Sequence, residues 1–220
     1  MTRAVVFDLW QTLAVWPEEK SSALRRAWAT TLDVSVDRID ELWYGGDLYR
    51  LRETGPIAPA IAALYEAVGA TADVDEILAR RLDLTRGALV PVTGAVSTVL
   101  ELRNRGIGTG LISNCTQEVA LVWDDTPFAG LFDVTVFSAT TGCMKPDARI
   151  YEVALEALGV PAQEALFVGD GANDELAGAE RVGMTPVLVH QEGKDPFWDG
   201  LRDWPGLRVT SIPQVLDLLA

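Results

Sequence analysis

The stretch that decides the fold is AVVFDLWQT, residues 4–12, in which an apolar run ends in Asp8. An uninterrupted apolar run rich in valine predicts a buried strand. A second run, ALFVG at residues 165–169, ends in the same way, with Asp170 as the next residue. Because open α/β sheets bind ligands outside the carboxyl ends of their strands, we expect both acids at one site.

Short apolar and β-branched runs recur along the chain and predict strands at 4–8, 107–112, 134–138, 165–169 and 186–190. Apolar residues at helical spacing predict helices at 93–105, 116–123, 147–158, 172–182 and 212–219. Strands that alternate with helices are joined by crossover connections and run parallel. The pattern therefore predicts an α/β protein with a doubly wound, Rossmann-like, mostly parallel sheet.

The strand signal disappears after the first strand and returns only near Pro91. The intervening sequence predicts amphipathic helices near 17–32, 36–51, 57–68 and 73–88. We expect a core domain of residues 1–13 and 91–220 and an inserted α-helical cap domain of residues 14–90. Because the insertion leaves directly after Asp8, the cap should overhang the site and hinge in its linkers, near 14–16 and 88–92.

Composition excludes several classes of partner. The 220 residues include 32 acidic and 18 basic side chains, for a formal net charge of -14. Such a chain repels phosphate backbones and anionic lipid surfaces, so we expect no nucleic-acid and no membrane partner. Two cysteines without metal-ligand spacing, and no signal-like or spanning apolar segment, predict a cytoplasmic protein. Both a monomer and a homodimer are compatible with the sequence.

Further polar groups follow the other predicted strands. Ser113 and Asn114 come after the second strand, and Lys145 lies in the loop MKPD at 144–147. In GDGAND, residues 169–174, Asp170 and Asp174 can face one point if a helix begins there. Taken singly, each of these residues could instead be a helix cap or a solvated side chain. Together with Asp8 the carboxylates would repel one another unless a cation joined them, and Mg²⁺ prefers such oxygen ligands.

The motifs FDLWQTL (7–13), ISN (112–114), KP (145–146) and GDGAND (169–174) together resemble those of haloacid dehalogenase superfamily hydrolases with a helical cap. The resemblance implies a hydrolase in which Asp8 attacks phosphorus and forms an aspartyl-phosphate, while Ser113 and Lys145 stabilise the transferring group. It implies Mg²⁺ held by Asp8, Asp170, Asp174 and the backbone carbonyl of Trp10. The side chains expected near a small anionic phosphorylated substrate are Trp10, Thr12 and Asn114.

One position departs from the pattern. Phosphatases of the superfamily carry a general acid/base aspartate two residues after the nucleophile, where this chain has Trp10. An indole is a hydrogen-bond donor only, and the loss of general acid/base catalysis typically costs about 10²- to 10⁴-fold in rate.

Three functions remain compatible with Trp10. The first is a Mg²⁺-dependent phosphatase or phosphotransferase that either uses good leaving groups or recruits a cap acid such as Glu18 or Glu19. The second is a 2-haloacid dehalogenase-like hydrolase, because halide leaves without a proton. The third is a degenerate, regulatory protein that binds anions or a protein partner without turnover. Asp170 favours the first, since the family's metal-free dehalogenases have serine at that position.

Overall fold

The structure is a computed structural model that describes residues 1–71, 73–190, 199–201 and 203–219. Its strands are β1 (Ala4–Phe7), β2 (Gly108–Ser113), β3 (Val134–Phe137), β4 (Ala165–Gly169), β5 (Thr185–Val189) and β6 (Leu207–Val209). The described strands form a six-stranded sheet in the order β3-β2-β1-β4-β5-β6, and neighbouring strands are parallel. The predicted α/β fold with a doubly wound parallel sheet is confirmed. The short edge strand β6 was not predicted.

The strand order has a topological switch between β1 and β4. The chain adds β2 and β3 on one side of β1 and then returns to add β4, β5 and β6 on the other. Phe7 pairs with Val168, so the residues after these two strands emerge side by side. A doubly wound sheet opens a ligand-binding crevice at such a switch, which places Asp8 and Asp170 at its mouth.

Both faces of the sheet are buried. Val5 and Phe7 point into one apolar cluster, while Ala4 and Val6 point into the other. The packing helices are α6 (Ala95–Asn104), α7 (Gln117–Val122), α8 (Ser138–Thr141), α9 (Ala148–Leu158) and α10 (Glu175–Arg181). This double coverage explains why the strands are continuous apolar runs rather than alternating ones. The helix predicted at 212–219 is a 3₁₀ helix, Ile212–Leu219.

Five further helices lie between β1 and β2, and we call them the inserted helices. They are α1 (Glu18–Leu32), α2 (Val36–Tyr44), α3 (Gly46–Glu53), α4 (Ile57–Ala67) and α5 (Val74–Ala88). The single helix predicted over 36–51 is two helices. The chain breaks at extended Gly45, where a Cβ would meet the Glu41 carbonyl oxygen at 2.3 Å.

The inserted helices have an apolar cluster of their own, which contains Trp28, Ile39, Trp43, Ile61 and Leu64. The limits 14 and 90 of a separate cap domain stay a prediction.

The segments that lead into and out of the inserted helices run side by side. Ala14 forms a bridge with Pro91, and the Val92 amide donates to the Leu13 carbonyl at 2.8 Å. Farther along, Arg81 of α5 pairs with buried Glu118 of α7. The inserted helices are thus held over the carboxyl ends of the strands from two sides. Within the described part of the chain, the helices are too short or too polar for a transmembrane span.

Candidate active site

Asp8 lies at the switch between β1 and β4. Its backbone amide donates to the Val168 carbonyl at 2.8 Å, which extends the β1–β4 ladder by one residue and fixes the position of Asp8. The side chain is buried, with 6% of the residue exposed. A buried carboxylate is costly without partners, so its neighbours determine what it can do.

Three carboxylates meet here. Asp8, Asp170 and Glu175 are all buried, and one ligand oxygen from each lies within 4.8 Å of the others. Asp170 follows β4 directly, and Glu175 is the first residue of α10. Two regions that are distant in sequence, the end of β1 and the turn from β4 to α10, therefore converge on one point.

Lys145 supplies the positive charge at this point. Its Nζ donates to Asp8 Oδ1 and, at 2.5 Å, to Glu175 Oε2. Burial lowers the pKa of Lys145, but the charges and hydrogen bonds of Asp8 and Glu175 outweigh this and raise it above its ordinary value. Lys145 therefore stays charged at any physiological pH and can attract an anion.

Asn114 holds the loop that carries Lys145. Its Nδ2 donates to the Lys145 carbonyl at 3.0 Å, and its Oδ1 accepts from the Lys145 amide at 2.7 Å. This pair of bonds ties the end of β2 to the lysine loop. Asn114 also lines the cavity described below, and its contact with a substrate stays a prediction.

The structure does not bring Asp174 into the group of carboxylates, and Glu175 stands there instead. The expectation required a helix to begin directly after Asp170, whereas α10 begins only at Glu175. Between them Gly171, Asn173 and Asp174 adopt left-handed backbone angles, with φ of 87°, 52° and 55°. This wide turn leaves Asp174 exposed beside a neighbouring surface depression, where it lies with Arg50.

Glu175 reaches back over the turn to the end of β4. Its Oε1 accepts from the Gly171 amide at 2.9 Å, and a Cβ on Gly169 would lie 2.1 Å from the same oxygen. Glycine at 169 is thus required for this approach. Burial, and next the charge of Asp8, raise the pKa of Glu175 well above its ordinary value.

The donor set fits a divalent cation. Three buried carboxylates share the single ammonium of Lys145, so a further positive charge would be favourable at this point. Mg²⁺ takes hard oxygen ligands and completes its octahedron with waters or substrate oxygens. Asp8, Asp170 and Glu175 are the side chains that would hold it.

A cavity of about 340 Å³ opens above this group. We call Asp8, Lys145, Asp170 and Glu175 the floor of the cavity. The opposite wall, which we call the roof, comes from the inserted helices and the linker before them. Its residues include Trp16, Arg25, Trp28, Trp43, Tyr44, Tyr49, Arg52, Glu53 and Arg81.

The three arginines of the roof all have acidic partners. Arg25 pairs with Glu18 and Asp40, at 2.7 and 2.8 Å, and Arg52 pairs with Glu53 at 2.6 Å. Arg81 pairs with Glu118. The roof therefore offers aromatic surface and neutralised cations, so Lys145 remains the cation nearest to Asp8.

Trp10 lines the cavity between floor and roof. Its ring packs edge-on against Trp16, with 4.9 Å between centroids. Such pairs prefer this geometry, so the two indoles stabilise the seam between β1 and the inserted helices. The backbone of Trp10 forms a bridge with Ala14, and its carbonyl as a metal ligand stays a prediction.

Other residues singled out from the sequence lie elsewhere. Thr12 and Ser113 are buried outside the cavity wall, and Thr12 Oγ1 has no hydrogen-bond partner among the described residues. Glu18 and Glu19 are exposed on α1, and neither lines the cavity. The acid that the inserted helices do bring to the cavity is Glu53, which was not anticipated because the helical pattern does not reveal which side of α3 faces the floor.

Residues 2–183 match the model of the family described as haloacid dehalogenase-like hydrolase, which is more than half of the chain. The chain belongs to this family. The resemblance seen in the motifs is thereby confirmed, and with it membership of a family of hydrolases.

Several curated relatives of this haloacid dehalogenase-like protein are named as phosphatases. A glyceraldehyde 3-phosphate phosphatase of Methanopyrus kandleri is 27% identical over 100% of this chain and 97% of its own. A ribulose-1,5-bisphosphate 5-phosphatase of Halopiger xanaduensis is 28% identical over 86% of this chain and 84% of its own. A glyceraldehyde 3-phosphate phosphatase of Methanothermobacter thermautotrophicus is 32% identical over 59% of this chain, and that match spans only 58% of the relative's length.

Solved structures share the fold. A phosphatase of this family from Thermococcus onnurineus covers the whole chain with a TM-score of 0.74 at 21% identity. A 2-haloacid dehalogenase from Pseudomonas syringae also covers it, with a TM-score of 0.71 at 23% identity. Both kinds of enzyme share this architecture, so the fold does not choose between them.

Proposed function

We propose that the protein is a Mg²⁺-dependent phosphatase that hydrolyses a small phosphorylated molecule through an aspartyl-phosphate on Asp8. The observation that carries the proposal is the floor, where three buried carboxylates and Lys145 converge at the switch of the sheet. The names of full-length relatives support phosphoryl chemistry.

Each floor residue has a part in this reaction. Asp8, fixed by the β1–β4 ladder, presents a carboxylate oxygen to phosphorus. Lys145, positioned by Asn114, neutralises charge on the transferring group. Asp170 and Glu175 complete the ligands of the cation, which would shield the phosphoryl oxygens from the carboxylates and polarise the phosphorus.

The other site residues predicted from the sequence would assist the reaction or contact the substrate. Thr12 and Ser113 are buried outside the cavity wall, and the contact of Ser113 with the phosphoryl group is retained as a prediction of the family pattern. Trp10 and Asn114 border the cavity and would contact the substrate.

A 2-haloacid dehalogenase is the second candidate, and Trp10 is the observation that favours it. Halide needs no proton when it leaves, so an aromatic side chain at this position is harmless to that reaction. The retention of Asp170 beside Asp8 and Glu175 weighs against it, because that cluster provides the ligands of a cation which dehalogenation does not use.

A substrate panel tests the proposal. We expect phosphate release from aryl and acyl phosphates in the presence of Mg²⁺, and loss of this release when EDTA removes the metal. Halide release from a 2-haloacid that persists in EDTA would contradict the phosphatase proposal and support the dehalogenase. The absence of both reactions would favour an anion-binding protein without turnover.

A further inference from the structure

We propose that Glu53, on the inserted helix α3, is the general acid and base that replaces the aspartate missing at position 10. The inference rests on the proposed phosphatase function. It arises from two features of the same cavity: Trp10, between floor and roof, cannot transfer protons, and Glu53 is the one carboxyl group that the described residues place in the roof.

Glu53 is the acid that the inserted helices contribute to this cavity among the described residues. The other carboxyl groups in its lining are Asp8, Asp170 and Glu175, which belong to the floor. Glu18 and Glu19 lie on the exposed side of α1. Glu118 is enclosed, and its Oε2 has no hydrogen-bond partner among the described residues and no access to open space.

The carboxyl group of Glu53 is held in place and still has a free oxygen. Arg52 Nη1 donates to Glu53 Oε1 at 2.6 Å, and Arg52 Nε donates to the Trp43 carbonyl at 3.0 Å, which anchors the pair in α2. Glu53 Oε2 accepts no hydrogen bond from the described residues, and these residues do not fully enclose it. That oxygen therefore faces open space, which for Glu53 is the cavity.

The surroundings of Glu53 favour its protonated form more than water does. Burial raises its pKa, the charges of Arg52 and Arg81 oppose the shift, and the charge of Glu118 adds to it. Tyr49, which also lies on α3, has a pKa raised by burial and by the charge of Glu53. Buried Cys115, after β2, also responds to the charge of Glu53.

Glu53 alone accounts for both proton transfers of the reaction. In the first step an Asp8 oxygen bonds to phosphorus, the bond to the leaving oxygen breaks, and protonated Glu53 gives its proton to that oxygen. In the second step a water oxygen bonds to phosphorus, the bond to Asp8 breaks, and the Glu53 carboxylate takes the proton from the water. Glu53 ends protonated, as it began.

The test compares Glu53→Gln with the wild type on two esters in Mg²⁺. One is 4-nitrophenyl phosphate, whose leaving group departs without a proton, and the other is glycerol 1-phosphate, whose leaving group needs one. We expect the variant to lose about 100-fold or more of its kcat on the alkyl ester. With the aryl ester it should release one equivalent of nitrophenol in a rapid burst and then stall, because the aspartyl-phosphate lacks its base.

Three further measurements separate catalysis from folding. Glutamine can still accept the Arg52 hydrogen bond, so Glu53→Gln should keep the fold, and Glu53→Asp should recover part of the alkyl activity. Exposed Glu19→Gln is the matched control and should behave as the wild type. For the wild type, kcat/KM on the alkyl ester should fall as pH rises through the pKa of Glu53, and Glu53→Gln should lack that decline.

The outcomes are distinct. Equal losses on both esters, with a diminished burst, would show that Glu53 is only structural, and an unchanged alkyl rate would show that it is not needed. Either result overturns the inference. A wild type that hydrolyses neither ester contradicts the proposed function and this inference with it, whereas an active wild type with an unaltered Glu53→Gln contradicts the inference alone.

Discussion

The floor of the cavity is built from side chains at the carboxyl ends of parallel strands, whereas its roof comes from helices inserted after the first strand. The floor holds three carboxylates and one ammonium within a few ångströms, and the roof holds aromatic rings and arginines that are already paired. In the proposed reaction the floor attacks phosphorus. The roof, in the same proposal, selects the leaving group and protonates it through Glu53.

The largest effect should come from Asp8→Asn in the floor. An amide is not a nucleophile for phosphorus, so kcat on every phosphate ester should fall by at least about 10⁴-fold, as is typical when a covalent nucleophile is removed. Steady-state phosphate release measures the loss. Far-ultraviolet circular dichroism should match the wild type, and turnover above a tenth of the wild-type rate would show that Asp8 is not the nucleophile.

The second prediction distinguishes two adjacent acids. Glu175→Gln removes a charged ligand from the floor, so we expect a loss of about 10- to 100-fold in kcat and a rise in the Mg²⁺ concentration needed for half-maximal rate. Asp174→Asn changes an exposed side chain and should alter kcat by less than about 3-fold. Mg²⁺ titrations of both variants provide the measurement. The reverse order of effects would restore Asp174 as the ligand.

The three acids of the floor show how much of the site the sequence predicts. Asp8 and Asp170 could be placed because each directly follows a buried strand, and the sheet then determines where they meet. Glu175 could not, because its place depends on how wide the turn after Asp170 is. The one signal was composition: Gly171, Asn173 and Asp174 are of the types that tolerate left-handed angles, which indicates a turn rather than a helix start.

The roof was far less predictable than the floor. The helical spacing gave the inserted helices and their approximate limits, apart from the break at Gly45. It did not give the faces of α3 and α5 that reach the cavity, because Arg52, Glu53 and Arg81 are charged and buried through ion pairs. A charged residue is normally assigned to the solvent side of a helix, and only tertiary pairing places these inside.

The third prediction joins floor and roof through Trp10→Asp. In the wild-type background the roof already provides Glu53, so the new acid should raise kcat on an alkyl phosphate by less than about 10-fold. In the Glu53→Gln background the same change should restore at least about 10-fold of the lost rate. A double-mutant cycle on glycerol 1-phosphate measures this coupling. Strictly additive effects would indicate that the two positions do not share a proton-transfer role.

The smallest effect is expected from Trp16→Ala at the seam. The edge-on contact with Trp10 contributes about 0.5–1.5 kcal/mol, which corresponds to roughly a 2- to 12-fold change in an equilibrium constant. Since Trp16 borders the cavity but lies outside the floor, the change should raise KM for phosphate esters by that factor and leave kcat nearly constant. Val15→Ala removes an exposed neighbour and is the matched control. A fall in kcat with unchanged KM would instead mean that the contact between Trp10 and Trp16 positions the floor residues. The seam would then contribute to catalysis and not only to substrate binding.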